Sequence, residues 1–196
     1  MSEPDKQNIT GIILSGGRGS RMGGVDKGFV ELDGQPLIAH AIAHLKPQVA
    51  SIIISANRET ERYAEYSYSV IRDTQDDYAG PLSGIASALF HARTRLAMIV
   101  PCDMPYLPPD LVARMYTKLE QEGVEVCMAS DGKHLHPVVC LMKTSLLEEL
   151  VHDVQSGECK TGHWMKQRTH VIEDFSDCPE AFVNINTIQE LNQDLS

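Results

Sequence analysis

No hydrophobic stretch in this chain approaches the ~20 residues that a helix needs to cross a bilayer, although 42% of its 196 residues are hydrophobic. A membrane-spanning protein is therefore not expected. The chain has no Cys-x-x-Cys pair. Its five cysteines, Cys102, Cys127, Cys140, Cys159 and Cys178, are widely spaced and odd in number. That argues against a disulfide framework or a structural zinc site and for a reducing, cytoplasmic setting. Excess positive charge is missing too: the net charge of −10 argues against a general nucleic-acid surface. No internal repeat, low-complexity tract or interdomain linker is visible. Residues 1–8 are polar, lack the apolar stretch of a signal peptide, and read as a disordered tail. What remains suits one globular domain with a full core.

Against this acidic background one segment stands out. Residues 10–14 read as a short buried strand, and five glycines follow within nine residues, Gly16, Gly17, Gly19, Gly23 and Gly24. Bare backbone can approach a polyphosphate and aim N–H groups at it. Arg18, Arg21 and Lys27 add three positive charges to the same loop. A bound nucleoside triphosphate is the simplest reason for such a local excess. The spacing excludes a Walker A loop, because Gly24 is misplaced and Lys27 is followed by Gly28 rather than a hydroxyl residue. It also excludes a dinucleotide fingerprint, whose third glycine position is Met22 here. The loop runs on into Phe29–Leu32, which alternates like a strand, with Asp33-Gly34 as its turn.

Strand and helix signals then alternate. Helices are expected over 36–44, 59–66, 82–91 and 109–120, the last closed by Gly123. Strands are expected over 51–55, 69–71, 96–100 and 124–129. The apolar run 96–100 suits a central parallel strand. Further on, 136–141 reads as a strand, 144–152 as a helix, 157–167 as an ambiguous polar segment holding Trp164, and 188–195 as a last helix. This alternation predicts an α/β fold: a single-domain, Rossmann-like three-layer sandwich with a mostly parallel sheet. In such sheets ligands bind beyond the C-terminal strand ends. The glycine loop, Asp73 and Cys102-Asp103 all fall there.

The run Leu14-Ser15-Gly16-Gly17 through Arg21-Met22-Gly23 and Asp26-Lys27, followed by Glu31-Leu32, Gly34 and Pro36-Leu37, resembles the nucleotidyltransferase superfamily. Within it, the match is to the molybdenum cofactor guanylyltransferases. The resemblance covers nearly the whole chain after the tail, is strongest before residue 110 and weakest between 140 and 175. It implies a nucleotide site made of Leu14, Ser15, Gly16, Gly17, Arg21, Lys27, Ser55, Asp73, Pro81, Leu82 and Asp103. Ser55 stands where the family has asparagine, with Asn57 following. Asp103 is the implied magnesium ligand, which agrees with the preference of Mg2+ for one or two carboxylates. Asp73 could accept from guanine N1–H and N2–H or hold a ribose hydroxyl. Gly80-Pro81-Leu82 would wall the base pocket, or simply start a helix.

The resemblance also implies an acceptor surface holding His136, Lys160, Asn184 and Asn186. His136 suits either the acceptor or a structural role. Cys159 stands where the family often has a basic residue, and Ile188 where it has proline. His40 and His44 have a metal-binding i,i+4 spacing, but no third ligand is evident, so they read as a helix surface. Cys102 reads as a small buried residue rather than a nucleophile.

The implied activity is transfer of GMP from GTP to the terminal phosphate of Mo-molybdopterin, releasing pyrophosphate. Arg21, Lys27 and Asp103 are the expected catalytic residues and Mg2+ the cofactor. Residues 9–110 are expected to bind GTP and magnesium, and 111–196 the acceptor. Proteins that deliver molybdopterin, and chaperones of the target enzymes, are the implied partners. Cytidylyl transfer on the same scaffold and a non-catalytic cofactor carrier are the alternatives. The Leu-Ser-Gly-Gly form of the loop argues against the first, and retention of both Lys27 and Asp103 argues against the second.

Overall fold

A computed structural model describes residues 6–15, 26–73 and 80–185. The first strand, β1 (Ile9–Leu14), lies inside a seven-stranded sheet. It pairs in parallel with β4 (Ser51–Ser55) on one side and β6 (Leu96–Pro101) on the other. Strand β5 (Ser69–Ile71) extends the sheet beyond β4, also in parallel. On the far side, β8 (Leu135–Lys143) runs antiparallel to both β6 and β7 (Val126–Ser130), and β9 (His170–Asp174) closes the sheet parallel to β7. The order is β5-β4-β1-β6-β8-β7-β9. A separate hairpin joins β2 (Glu31–Leu32) to β3 (Gln35–Pro36). Asp33 and Gly34 both have positive φ, as the tightest hairpin turns require.

Alternation along the strands divides the core. Ile9 and Ile13 of β1 face one side, with Leu96, Met98 and Val100 of β6. There they meet α1 (Leu37–Leu45), α2 (Thr60–Ala64) and α4 (Leu111–Glu122) through Ile38, Tyr63 and Met115. Ile12, Ala97 and Ile99 face the opposite side. They meet α3 (Pro81–Leu89), α5 (Leu147–Gln155) and α6 (Thr161–Lys166) through Ile85, Leu150 and Trp164. Successive strand residues point to opposite faces, so an apolar run such as 96–100 must be covered on both. The expected three-layer sandwich follows.

Several local expectations need correction. Lys6–Asn8, expected within a tail over 1–8, form a 3-10 turn leading into β1, and residues 1–5 lie outside the described residues. The strand expected from Phe29 begins only at Glu31. Lys27–Phe29 instead form a 3-10 turn whose Gly28 N–H donates to the capping Asp26 carboxylate. The helix expected over 59–66 is cut to Thr60–Ala64 behind Glu59, which sits at φ 47. Within the ambiguous segment 157–167 lies α6, and β9 had no counterpart among the expected strands. The helix expected over 188–195 lies outside the described residues.

Candidate active site

The C-terminal ends of β1, β4, β5 and β6 share one edge of the sheet. Backbone bonds knit that edge: Ser15 N–H donates to Ser55 O, and Cys102 N–H donates to Leu14 O. Two groups of side chains gather there.

The first group follows β4 and β5. Asn57 Nδ2 donates to Asp73 Oδ2 at 2.9 Å, and Asp73 N–H donates back to Asn57 Oδ1 at 2.8 Å. Ser55, buried below them, also hydrogen-bonds Asp73. Burial nevertheless pushes the Asp73 carboxyl above the ordinary carboxylate range, with the Asn57 and Ser55 bonds acting against it. Helix α3 passes so close that a Cβ on Gly84 would lie 2.7 Å from Ser55 Oγ and 3.3 Å from Asp73 Oδ1. Only glycine leaves that space open. The result is a polar floor framed by Leu14. Pro81 is exposed at the start of α3, whereas Leu82 is wholly buried in the core. Leu82 thus supports the expected wall from behind and offers a ligand no surface, because the first turn of α3 directs it into the sheet.

The second group centres on Asp103, just beyond β6 and only 9% exposed. Lys27 Nζ forms an ion pair with Asp103 Oδ2. Asn184, with its amide nitrogen toward the carboxylate, donates to Oδ2 at 2.8 Å and Oδ1 at 2.5 Å; this orientation pairs donor with acceptor. Ile185 N–H donates to Asp103 O at 3.0 Å. The chain's far end therefore returns to the aspartate that sequence reasoning had assigned to the nucleotide half. Asn184 touches the implied metal ligand and is not confined to a separate acceptor surface.

Lys27 is held from behind. Tyr63, wholly buried, donates its O–H to Asp26 Oδ1 at 2.5 Å, and Gly28 N–H donates to the same oxygen at 3.0 Å. Burial is the main reason the Tyr63 hydroxyl stays protonated far above its ordinary range. Beside Asp103, burial pushes the Cys102 thiol up to about 12, so Cys102 is no nucleophile at neutral pH.

On the other flank, His136 Nε2 lies 3.0 Å from Asp131 Oδ2, and its ring stacks on Phe182. Lys160 is exposed ahead of α6. Its neighbour Cys159 borders Gly80, where a Cβ would stand 3.0 Å from Cys159 O. His40 Nε2 lies 2.9 Å from Leu32 O, tying α1 to the hairpin. Gly16, Gly17, Arg21 and Asn186 lie outside the described residues. Sequence reasoning did not place Asn57 or Tyr63 in the site. Asn57 had a signal, as the asparagine following Ser55. Tyr63 had none, since its partner is fixed only by the fold.

No group of three or more His, Cys, Asp and Glu side chains among the described residues could enclose a metal ion. A single hard carboxylate at a strand end still fits a divalent ion that completes its shell with water and substrate oxygens. An α/β sheet with a glycine loop after β1, and a lysine and an aspartate meeting at its C-terminal edge, defines a nucleotidyltransferase. A family model described as the MobA-like NTP transferase domain matches residues 11–174. The chain belongs to the molybdenum cofactor guanylyltransferase family: it is 46% identical over 185 residues to the molybdenum cofactor guanylyltransferase of Shewanella sediminis, covering 94% of each chain. The protein of that name from Shewanella pealeana is also 46% identical, over 94% of this chain and 92% of its own. The fold is shared with the crystal structure of molybdopterin-guanine dinucleotide biosynthesis protein A from Archaeoglobus fulgidus. That structure has a TM-score of 0.77 and 22% identity, over 94% of this chain and 95% of its own. Enzymes of this class typically use a divalent metal. Among the described residues no helix is long and apolar enough to cross a membrane.

Proposed function

We propose that this chain transfers GMP from GTP to the terminal phosphate of Mo-molybdopterin, forming molybdopterin guanine dinucleotide and pyrophosphate in the cytoplasm. The observation that carries this reading is the meeting of Lys27, Asp103 and Asn184 at the C-terminal edge of β6, in a chain 46% identical to named guanylyltransferases. The acceptor phosphate has a second pKa of about 6, so near neutral pH it is a ready nucleophile and no general base is required. Catalysis then consists of alignment and charge neutralisation.

In this reaction Asn57, Asp73 and Ser55 seat the nucleoside, with Leu14, Ser15 and Pro81 around it. The glycine loop with Gly16, Gly17 and Arg21 holds the triphosphate. Lys27 offsets the charge that builds on the phosphates at the transition state. Asp103 would hold Mg2+, which would neutralise charge on the leaving pyrophosphate. His136, Lys160 and Asn186 face the acceptor. Proteins that deliver molybdopterin or receive the product are the partners such a reaction calls for.

A thermal-shift panel of GTP, CTP, ATP and UTP with magnesium tests the reading. GTP alone should raise the melting temperature strongly. Preference for CTP, or equal shifts for all four, would refute guanylyl transfer. Asp103→Asn should lower kcat by roughly a hundredfold or more while GTP still binds. Unchanged kcat at saturating magnesium would remove Asp103 from the metal site.

A further inference from the structure

Beyond β9 the described chain forms no further strand before it reaches Asp103. Within residues 175–185 most backbone bonds are local: Cys178 N–H donates to Phe175 O, Ala181 N–H to Cys178 O and Val183 N–H to Glu180 O. Among the described residues only the two ends of this segment are tied to distant backbone. Phe175 N–H donates to Ser130 O at 2.7 Å, and Ile185 N–H donates to Asp103 O at 3.0 Å. Local turns give such a segment its shape and leave its placement to side chains.

Arg114, on α4, supplies that placement with its whole guanidinium. Nη1 donates to Asp177 Oδ2 at 2.9 Å and Nη2 to Asp177 Oδ1 at 3.0 Å, a bidentate pair. Nε donates to Glu173 Oε1 at 3.1 Å, and Nη2 also donates to Asp174 O. Cζ lies 4.0 Å from the ring centroid of Phe175. Phe175 is wholly buried and packs 5.2 Å from Phe182, centroid to centroid. The Arg114 bonds hold the Asp177 carboxyl below the ordinary carboxylate range. A lone surface ion pair contributes little, but a bidentate fork inside a network is the exception. Asp177 stands seven residues before Asn184, and Phe182 only two, so the clamp sits directly upstream of the amide that holds Asp103.

We propose that Arg114 is a positioning residue for the transfer reaction: its clamp on Asp177 and Phe175 sets where Asn184 and Ile185 meet Asp103, and so how Asp103 presents its carboxylate. Among the described residues Arg114 makes no bond to Asp103 itself and acts through Asn184. Lysine cannot replace it, because an ammonium is a point charge without the planar fork that grips Asp177 and Glu173 together. A small misplacement of a group that serves the reacting atoms lowers rate steeply, while the seats of the two substrates stay intact. This inference rests on the reading that Asp103 serves guanylyl transfer.

The experiment compares full-length wild type, Arg114→Lys, Asp177→Asn, Asn184→Ala and the double variant Asp177→Asn/Asn184→Ala. The Asp177 side chain is 65% exposed, so its change leaves the core intact and carries the test even if Arg114→Lys folds poorly. Amide hydrogen exchange reads the placement of the segment without turnover. In Arg114→Lys and Asp177→Asn the Ile185 N–H should exchange about tenfold faster. The Cys102 N–H, which donates to Leu14 O at the same edge, should change by less than about threefold. Steady-state kinetics with GTP and molybdopterin should show kcat lowered about tenfold, with both KM values within about twofold of wild type. On the Asn184→Ala background, Asp177→Asn should lower kcat by less than about twofold more. Unchanged Ile185 exchange in Asp177→Asn, equal acceleration at Cys102, unchanged kcat, or full additivity with Asn184→Ala would each overturn the proposal. A wild type that makes no product from GTP and molybdopterin would refute the reaction, and the exchange comparison would still decide whether Arg114 places the segment on Asp103.

Discussion

Gly28→Ala is the most searching test of how Lys27 is held. A Cβ on Gly28 would intrude on Tyr63 Oη and would also lie 3.0 Å from Cζ and 3.1 Å from Cε1. Tyr63 cannot retreat. It is wholly buried, its ring packs 4.5 Å from that of Phe29, and its hydroxyl is bound to Asp26 at 2.5 Å. Gly28 is not among the residues with positive φ, so the backbone does not bar alanine. Alanine even contributes about 0.4–1 kcal/mol by restricting the unfolded chain. Against that stand an overpacking cost of about 1–3 kcal/mol and weakening of a charged hydrogen bond worth about 1.5–3 kcal/mol. The net loss is about 2–5 kcal/mol. For a chain of this length each kcal/mol moves the melting temperature by about 2–4 °C. Thermal unfolding followed by circular dichroism should therefore show a fall of several degrees. Because Lys27 is the preceding residue, kcat should fall with it. Adding Tyr63→Phe removes Oη and should recover part of the melting temperature but not the Asp26 bond. A Gly28→Ala protein that melts at or above wild type with full activity would refute the close fit.

Asp73→Asn should melt higher than wild type at pH 7 while binding GTP about tenfold more weakly. The sign follows from the raised Asp73 pKa: its contribution to stability is complete below the ordinary carboxylate value of about 3.9 and is lost as pH rises through the folded value. The gap between variant and wild type should therefore close in acid, and a gap that widens there would refute the assignment. Lys27→Ala should cost kcat or triphosphate affinity in steady-state kinetics, whereas His40→Ala and His44→Ala should change neither; the reverse pattern would revive a metal role for α1. Lys160→Ala should raise the KM for molybdopterin and spare GTP binding in paired titrations; weakened GTP binding with intact molybdopterin binding would place Lys160 on the nucleotide side, next to Gly80.

What could be read from the sequence was what local patterning encodes. Strands 51–55 and 69–71 match their expected bounds, and 96–100 gains only Pro101. Each has an apolar or β-branched run bounded by turn residues. Strand β9 escaped because it lies at the sheet edge: its five residues are half-buried or exposed, so neither a continuous apolar run nor a clean alternation marks it. Helix α6 is only six residues long, too short for a helical period to emerge from a polar segment. The site divides the same way. Lys27 and Asp103 lie in recognisable motifs, but the bonds that arm them do not. Tyr63 reaches Asp26 across 37 residues and Asn57 reaches Asp73 across 16.

The return of the C-terminal segment to Asp103 has a physical reason that the strand order supplies. Asp103 is nearly buried, and a buried carboxylate left unpaired is costly. The loop after β1 offers Lys27 on one side. On the other side β8 runs antiparallel to β6, so it supplies a strand beginning and not another C-terminal loop. The amide that completes the pairing must come from elsewhere, and Asn184 brings it from beyond β9. The two halves of the chain meet on a single carboxylate, so a change at Asn184 should disturb turnover even where each substrate still binds.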